Sequence, residues 1–364
     1  MKAVTGFLFV LLLDSTLTAQ QPDFLLDNQK LLASPSVVGA AFHAPTDVAE
    51  AIDPDQAPPP ARKEEPKKNA SVKPLKRSRI DTSMVGYLDS AAVQTEVRVR
   101  FDAGFNDPRP DLAEYFYAGT AGPNSGAIQR TLNFQQLYLM AEYAPQKRIS
   151  GFVQVPFRWI QVFFVPETIL PNTTPTPPNG GGISDLQAGL RFAAIRSASR
   201  IVTFQFGADF PTGDGTNGLG TGHYSIEPKV QFFQKLSERT AIEAEAGDSH
   251  PIGGTIYVAP PSPAQNFAGD VAMFGVGPSY QLIQRDSYRI TPVLELVSWH
   301  VFGGLQTGAS GVVQSAAGTN VFNAKLGARL SLADGTSIYA GYGRGLTSDI
   351  WYRNLFRVEY RHTF

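Results

Sequence analysis

From residue 94 to its end the chain repeatedly alternates apolar and polar residues with a period of two. Gln94, Glu96, Arg98, Arg100 and Asp102 interleave with Val97, Val99, Phe101, Ala103 and Phe105. The same alternation sets Leu186, Ala188, Leu190, Phe192 and Ala194 against Asp185, Gln187, Gly189 and Arg191. It recurs with Val202, Phe204, Phe206, Ala208 and Phe210 against Thr203, Gln205, Gly207 and Asp209, and over Phe322–Leu332 and Phe356–Phe364. Side chains on a strand point alternately to opposite faces, so each segment has one apolar face and one polar face. The segments 132–144 and 150–164, the latter with Pro156, alternate poorly and are still read as strands.

Outside the first twenty residues no apolar run approaches the ~18 to 20 residues that a membrane helix needs. If the chain meets a bilayer, it does so with strands. Every backbone polar group in hydrocarbon must be paired within the protein, so such a sheet has to close on itself, apolar outside and polar inside. A soluble β-sandwich would alternate in the same way but would bury its apolar faces against another sheet. Here the outward faces of the clean strands carry Phe and Leu and no Lys, Arg or Glu, in a chain with only 17% charged residues.

Connections of two kinds take turns. Short polar ones fall at Pro145–Arg148, Arg196–Ser199, Leu236–Arg239, Gln284–Ser287 and Ala333–Thr336. Long ones rich in Gly, Pro and Asn fall at about 106–131, 166–182, 211–223, 248–268, 300–319 and 346–351. Together they join twelve strands of a length that crosses a bilayer with tilt. The expected fold is all-β: a transmembrane antiparallel up-and-down β-barrel of about twelve strands over residues 89–364. Trp159, Trp299, Trp351 and Tyr352 fall where strands meet long loops and are expected to form an aromatic girdle. Phe364 ends an amphipathic strand, like the terminal aromatic that Gram-negative barrels present to their assembly machinery.

Lys2 and the apolar run from Gly6 to Leu13, followed by small residues up to Ala19, read as a secretory signal peptide over 1–19. The alternative is a short buried helix. Residues 20–88 show no sustained period. They contain Pro58, Pro59 and Pro60 and a basic stretch, +6 over residues 62–79 in a chain whose total is −1. Such a segment is expected to be a disordered periplasmic linker. The sharper reading is a tether to the cell wall or to anionic lipid headgroups.

Pro211-Thr212-Gly213-Asp214, Gly218-Leu219-Gly220-Thr221-Gly222 and the preceding Ile183-Ser184-Asp185-Leu186 resemble the outer-membrane family named for the meta-pathway of phenol degradation. In that family a G-D-L strand is followed by a P-T-G-D loop and a G-L-G-T-G run; Ser184 here replaces the glycine. The runs Arg98–Asp102, Leu236–Arg239, Pro251–Gly254, Asn323–Gly327 and Tyr342–Leu346 resemble uncharacterised exported planctomycete-type proteins over about 85–364. Both resemblances imply a barrel. The first implies passage of small hydrophobic or aromatic molecules and carries no catalytic residues over.

Motifs for other chemistry are weak. Gly213-x-Gly215-x-x-Gly218 has dinucleotide-fingerprint spacing but leads into a strand rather than a helix. Asp209, Asp214 and Asn217 are hard-cation ligands in type but read as turn residues. No histidine lies at metal spacing, and cysteine is absent. His223 with Ser225, or Ser249 with His250, would suit a Ser-His hydrolase, although neighbours on a strand point to opposite faces.

By parity the lumen is expected to be lined by Arg98, Arg100, Asp102, Arg191, Asp209, Glu227, Lys229, Glu243, Glu245, Glu295, Lys325, Arg329, Arg357, Glu359 and Arg361. These charges either set the selectivity of a polar channel or fill a narrow barrel with salt bridges. The reading is an outer-membrane channel for a small solute, without enzymatic activity, cofactor, metal or nucleic-acid partner. Its expected partners are lipid, the assembly machinery and the solute. The alternatives are an anchoring barrel without an open pore and a barrel-embedded lipid hydrolase.

Overall fold

The computed structural model describes residues 83–107, 129–164, 180–215, 218–254, 256–257, 265–307 and 313–364. The signal-peptide and basic-stretch expectations fall outside these residues, as does Asn217.

Twelve long strands form the wall: β1 Glu96–Asp107, β2 Gln129–Gln146, β3 Ile149–Phe164, β4 Leu186–Arg196, β5 Arg200–Phe210 and β6 Tyr224–Lys235. They continue with β7 Thr240–Ile252, β8 Val271–Tyr280, β9 Tyr288–Val301, β10 Asn320–Leu332, β11 Thr336–Gly345 and β12 Asn354–Thr363. Each pairs antiparallel with its sequence neighbours, and β1 pairs with β12 from Glu96↔Thr363 to Phe105↔Asn354. The ring is therefore closed and leaves no edge, as backbone satisfaction in hydrocarbon demands. Phe364 extends the closing seam, its N–H donating to Thr95 O at 3.0 Å. A short strand, Gly180–Ile183, continues the wall above β4 by pairing with β3.

The two poorly alternating segments are the longest strands, β2 and β3, and Pro156 sits within β3 opposite Tyr138. Their alternation fails for a physical reason. The inward face is charged near the short turns and apolar near the long loops, where Leu132, Phe134, Ile160 and Val162 are buried. The same inward apolar layer includes Val271, Val297, Val301, Val321 and Leu355. A lumen polar throughout, as parity implies, is thus corrected: its polar character stops short of the long-loop end.

The girdle expectation is corrected in the same way. Trp159 is 44% exposed on the outer wall, but Trp299, Trp351 and Tyr352 are only 7%, 0% and 2% exposed. The Trp299 and Trp351 rings pack against each other with centroids 4.9 Å apart, as part of the buried layer. The outer wall carries exposed Leu190, Phe192, Phe204, Phe206, Phe274, Leu294, Leu296, Phe322, Leu326 and Phe356. Apolar surface on this scale around a closed ring is the lipid-facing belt of a transmembrane barrel.

Residues 83–93 do not join the wall. Met84, Val85, Tyr87, Leu88, Ala91, Ala92 and Val93 are buried, and their backbone bonds to inward side chains of distant strands. The segment lies inside the barrel, so the expected linker boundary at residue 88 cuts through it: Ser83–Leu88 are lumenal.

Candidate functional site: a plugged lumen with a cavity above the plug

The inward side chains hold residues 83–93 by matching charge to backbone polarity. Carboxylates accept from its N–H groups. Met84 N donates to Glu243 Oε1 (2.8 Å) and Asp89 N to Glu245 Oε2 (2.8 Å). The successive N–H groups of Gly86, Tyr87 and Leu88 converge on Glu295 at 3.0 to 3.3 Å, the geometry by which consecutive amides bind an anion. Guanidinium groups supply the carbonyls. Arg329 donates to Met84 O and Val85 O, Arg357 to Gly86 O (2.9 Å), and Arg191 to Ser90 O and Ala92 O. Thr203 Oγ1 donates to Ala91 O (2.6 Å) and Arg196 to Val93 O (2.9 Å). Bonds to charged groups contribute ~1.5 to 3 kcal/mol each, about twice a neutral one.

The path of the segment is a U. Met84 bonds to Glu243 and Arg329, near the short turns that flank β7 and β10. Tyr87 reaches furthest up, its hydroxyl donating to Leu355 O. Val93 returns to Arg196, beside the short turn after β4. Gly86 is required by close approach, because a Cβ there would overlap the ring of Tyr339.

Below and beside the plug the remaining charges pair with one another. Glu359 meets Arg329 (2.8 Å) and Arg361 (2.9 Å), and Arg98 meets Glu96 (2.6 Å) and, more loosely, Glu359 (3.8 Å). Arg191 meets Glu142 (2.7 Å), and Arg357 grips Asp102 with two bonds of 2.7 and 2.6 Å. Glu142, absent from the expected lumen set because β2 alternates poorly, is a central member of this layer.

Above the plug lies a cavity of about 270 Å³, floored by Tyr87 and Asp89. Around it stand Arg100, Asp102, Asp209, Glu227, Lys229, Glu245, Lys325 and Arg357, together with the apolar Phe134, Val271, Met273, Val297 and Trp299. Lys229 bonds to Glu227 (3.0 Å), and Arg100 stacks on Tyr138, 3.7 Å from the ring centre. The expected lumen residues thus fall into three groups: those on the plug (Glu243, Glu295, Arg191, Arg329), those in the ion-pair layer (Arg98, Glu359, Arg361) and those around the cavity.

The mouth of the cavity is shaped by the loop that carries the family resemblance. Asp185 sits at the break between the strand 180–183 and β4. Its carboxylate accepts from Gly213 N (3.0 Å), Thr221 N (2.6 Å) and Thr221 Oγ1 (2.7 Å). Thr212 Oγ1 donates to Ser184 O and accepts from Leu186 N, both at 2.9 Å. A Cβ on Gly220 would strike the Asp185 carboxylate. The Asp214 carbonyl accepts from Leu219 N, and Pro211 leads the loop out of β5. The motif residues therefore form one hydrogen-bonded knot, and the Gly213–Gly218 spacing leads into β6 rather than a helix.

Of the two hydrolase pairings, Ser249 and His250 separate. Ser249 lines the cavity, whereas His250 is exposed and bonded to Asp270 (2.5 Å). Ser225 also lines the cavity, and buried His223 turns its Nδ1 to Thr221 O. Asp209 lines the cavity while Asp214 belongs to the loop knot. Among the described residues, the ligand-type atoms of Asp248, His250 and Asp270 come within 4.8 Å of one another at the outer rim.

No family model matches the sequence, and no curated protein does. Among solved structures the chain is similar to the COG4313 outer membrane channel from Pseudomonas putida F1, with 13% identity, TM-score 0.46, and coverage of 75% of this chain and 96% of that one. It is also similar to the β domain of the Bordetella autotransporter BrkA (12% identity, TM-score 0.44, 74% and 100% covered). A third is the translocator domain of the autotransporter NalP from Neisseria meningitidis (11%, 0.41, 74% and 88%). The class rests on this chain's own pairing and faces: a closed twelve-stranded transmembrane β-barrel whose lumen holds part of its own N-terminal region.

Proposed function

We propose that this protein is an outer-membrane channel for a small solute, and that residues 83–93 shut it from the periplasmic side. The observation that carries this reading is the division of the lumen. The half nearest the short turns is filled by the plug and its ion pairs, while the half nearest the long loops keeps a lined cavity. Short turns are the periplasmic end of such barrels and long loops the outer end. Solute enters from outside, rests above Tyr87, and passes when the segment withdraws. The resemblance to the phenol meta-pathway family supports a hydrophobic or aromatic solute, as does the apolar layer around the cavity mouth. The basic stretch 62–79, immediately upstream, is the natural tether by which an anionic surface in the periplasm would act on the plug.

The experiment is conductance in planar bilayers. The full chain is expected to conduct rarely, and a variant lacking 83–93 to conduct steadily. A plugless barrel that folds, as judged by migration before and after boiling, yet passes no current would overturn the channel. It would favour the anchoring reading, which the filled half of the lumen also supports. Loss of lipid or ester cleavage on replacing Ser225 or Ser249 would instead establish a hydrolase.

A further inference from the structure

Lys325 is 5% exposed, faces the cavity, and lies directly opposite Glu295 in the β9–β10 register. That carboxylate would ordinarily neutralise it, since opposite charges on facing strand positions attract. Here Glu295 is turned to the three amides of Gly86, Tyr87 and Leu88. Of the two further acids within electrostatic reach, Asp102 is held by both arms of Arg357, and Glu245 accepts from Asp89 N. Among the described residues the Lys325 ammonium makes neither an ion pair nor a hydrogen bond. It is instead surrounded by rings, 4.2 Å from the centre of Tyr87, 5.2 Å from Trp299 and 5.9 Å from Tyr352. An ammonium removed from bulk water without a counter-charge is costly, and aromatic faces offset only part of that cost. The plug thus leaves the Lys325 ammonium without a contacting counter-charge.

Next to it the inward wall is apolar, with Val271, Met273, Val297 and Trp299 lining the cavity. The acids Asp209, Glu227 and Glu245 belong to β5, β6 and β7, further round the ring. A cavity of about 270 Å³ exceeds the ~150 Å³ that suffices for a benzene molecule.

Resting on the channel reading above, we propose that the cavity binds a small monocarboxylate with an apolar body, one aromatic ring or a short acyl chain in size. Its carboxylate accepts from Lys325 Nζ, and its body lies against Val271, Met273, Val297 and Trp299. The acids on β5 to β7 repel the carboxylate and so fix its orientation. Lys325 is then a specificity-determining residue for the solute.

The test is calorimetric titration of the folded full-length protein in detergent with benzoate, benzamide and benzylammonium. Benzoate is expected to bind at least tenfold more tightly than its neutral isostere benzamide, the margin a charged hydrogen-bond partner gives. The Lys325→Met variant should lower benzoate affinity to the benzamide level and leave benzamide unchanged, while Lys325→Arg keeps the preference. Equal binding of benzoate and benzamide, a preference for benzylammonium, or no binding of any of the three overturns the proposal. The wild-type comparison alone decides this should a variant fail to fold. Conductance of the plugless barrel in plain KCl is independent of it: current without benzoate binding retains the channel and removes the carboxylate site. Benzoate binding without current does the reverse.

Discussion

Glu295 carries two consequences on one side chain. Accepting from three consecutive amides, it fixes the bend of the plug at Gly86–Leu88, and by doing so it makes no ion pair with Lys325. Glu295→Gln keeps the shape and removes the charge, so the bend loses its strongest acceptor. Single-channel recordings of this variant should show more frequent and longer openings than the wild type. Asp185 has a similar role at the mouth. Asp185→Ala takes the carboxylate away from Gly213 N and Thr221 N and leaves Thr221 Oγ1 to the His223 carbonyl at 3.2 Å, at a local cost of roughly 1 to 3 kcal/mol. Amide exchange at Gly213 and Thr221 should quicken while the strands stay protected. The sequence displays the Asp185 motif as a string of residues but not its purpose. The partners stand 28 and 36 positions downstream, and only the fold of β4 against β5 brings them together. Which charges share a face of a strand is readable by parity, a local property, although Glu142 on the poorly alternating β2 escapes it. The division of the lumenal charges into plug, ion-pair and cavity groups is not, because it depends on which strands face one another across the ring.

At the level of elements, the strands announced themselves wherever one face meets lipid and the other water. β2 and β3 were fainter because their inward face changes from polar to apolar along its length, with Gln136 and Arg158 on one side and Leu132 and Ile160 on the other. The plug gave no signal at all. It has neither strand nor helix period, and the wall residues that hydrogen-bond to it lie 99 to 271 positions away. Its fit is nonetheless strict at Gly86. Gly86→Val places a branched side chain where the Tyr339 ring lies and should exclude the segment, raising conductance as removal of 83–93 does while barrel migration on gels is unchanged. The tryptophans offer a second check on the elements. Brominated lipid should quench the outward-facing Trp159 and spare Trp299 and Trp351, which lie in the inward layer. A Trp159→Phe variant whose remaining fluorescence is still quenched would return those two residues to the girdle.

For the molecule as a whole, closure of β1 onto β12 leaves every wall strand paired on both sides. Such a ring has no edge from which to unravel, and the folded form should resist SDS, migrating differently before and after boiling. Both legs of the U meet the wall near the short turns, where the termini of the barrel also lie. Insertion therefore requires no threading: the ring can close first and receive the segment afterwards through one opening. The same shape decides how it responds to force. Tension applied upstream of Ser83 loads Met84 and Val85 first, then the amides on Glu295, then the leg that returns to Val93. The bonds part in succession, as in a zipper, rather than all together in shear, so a modest pull from one side of the membrane could strip out a stopper that heat alone would leave seated.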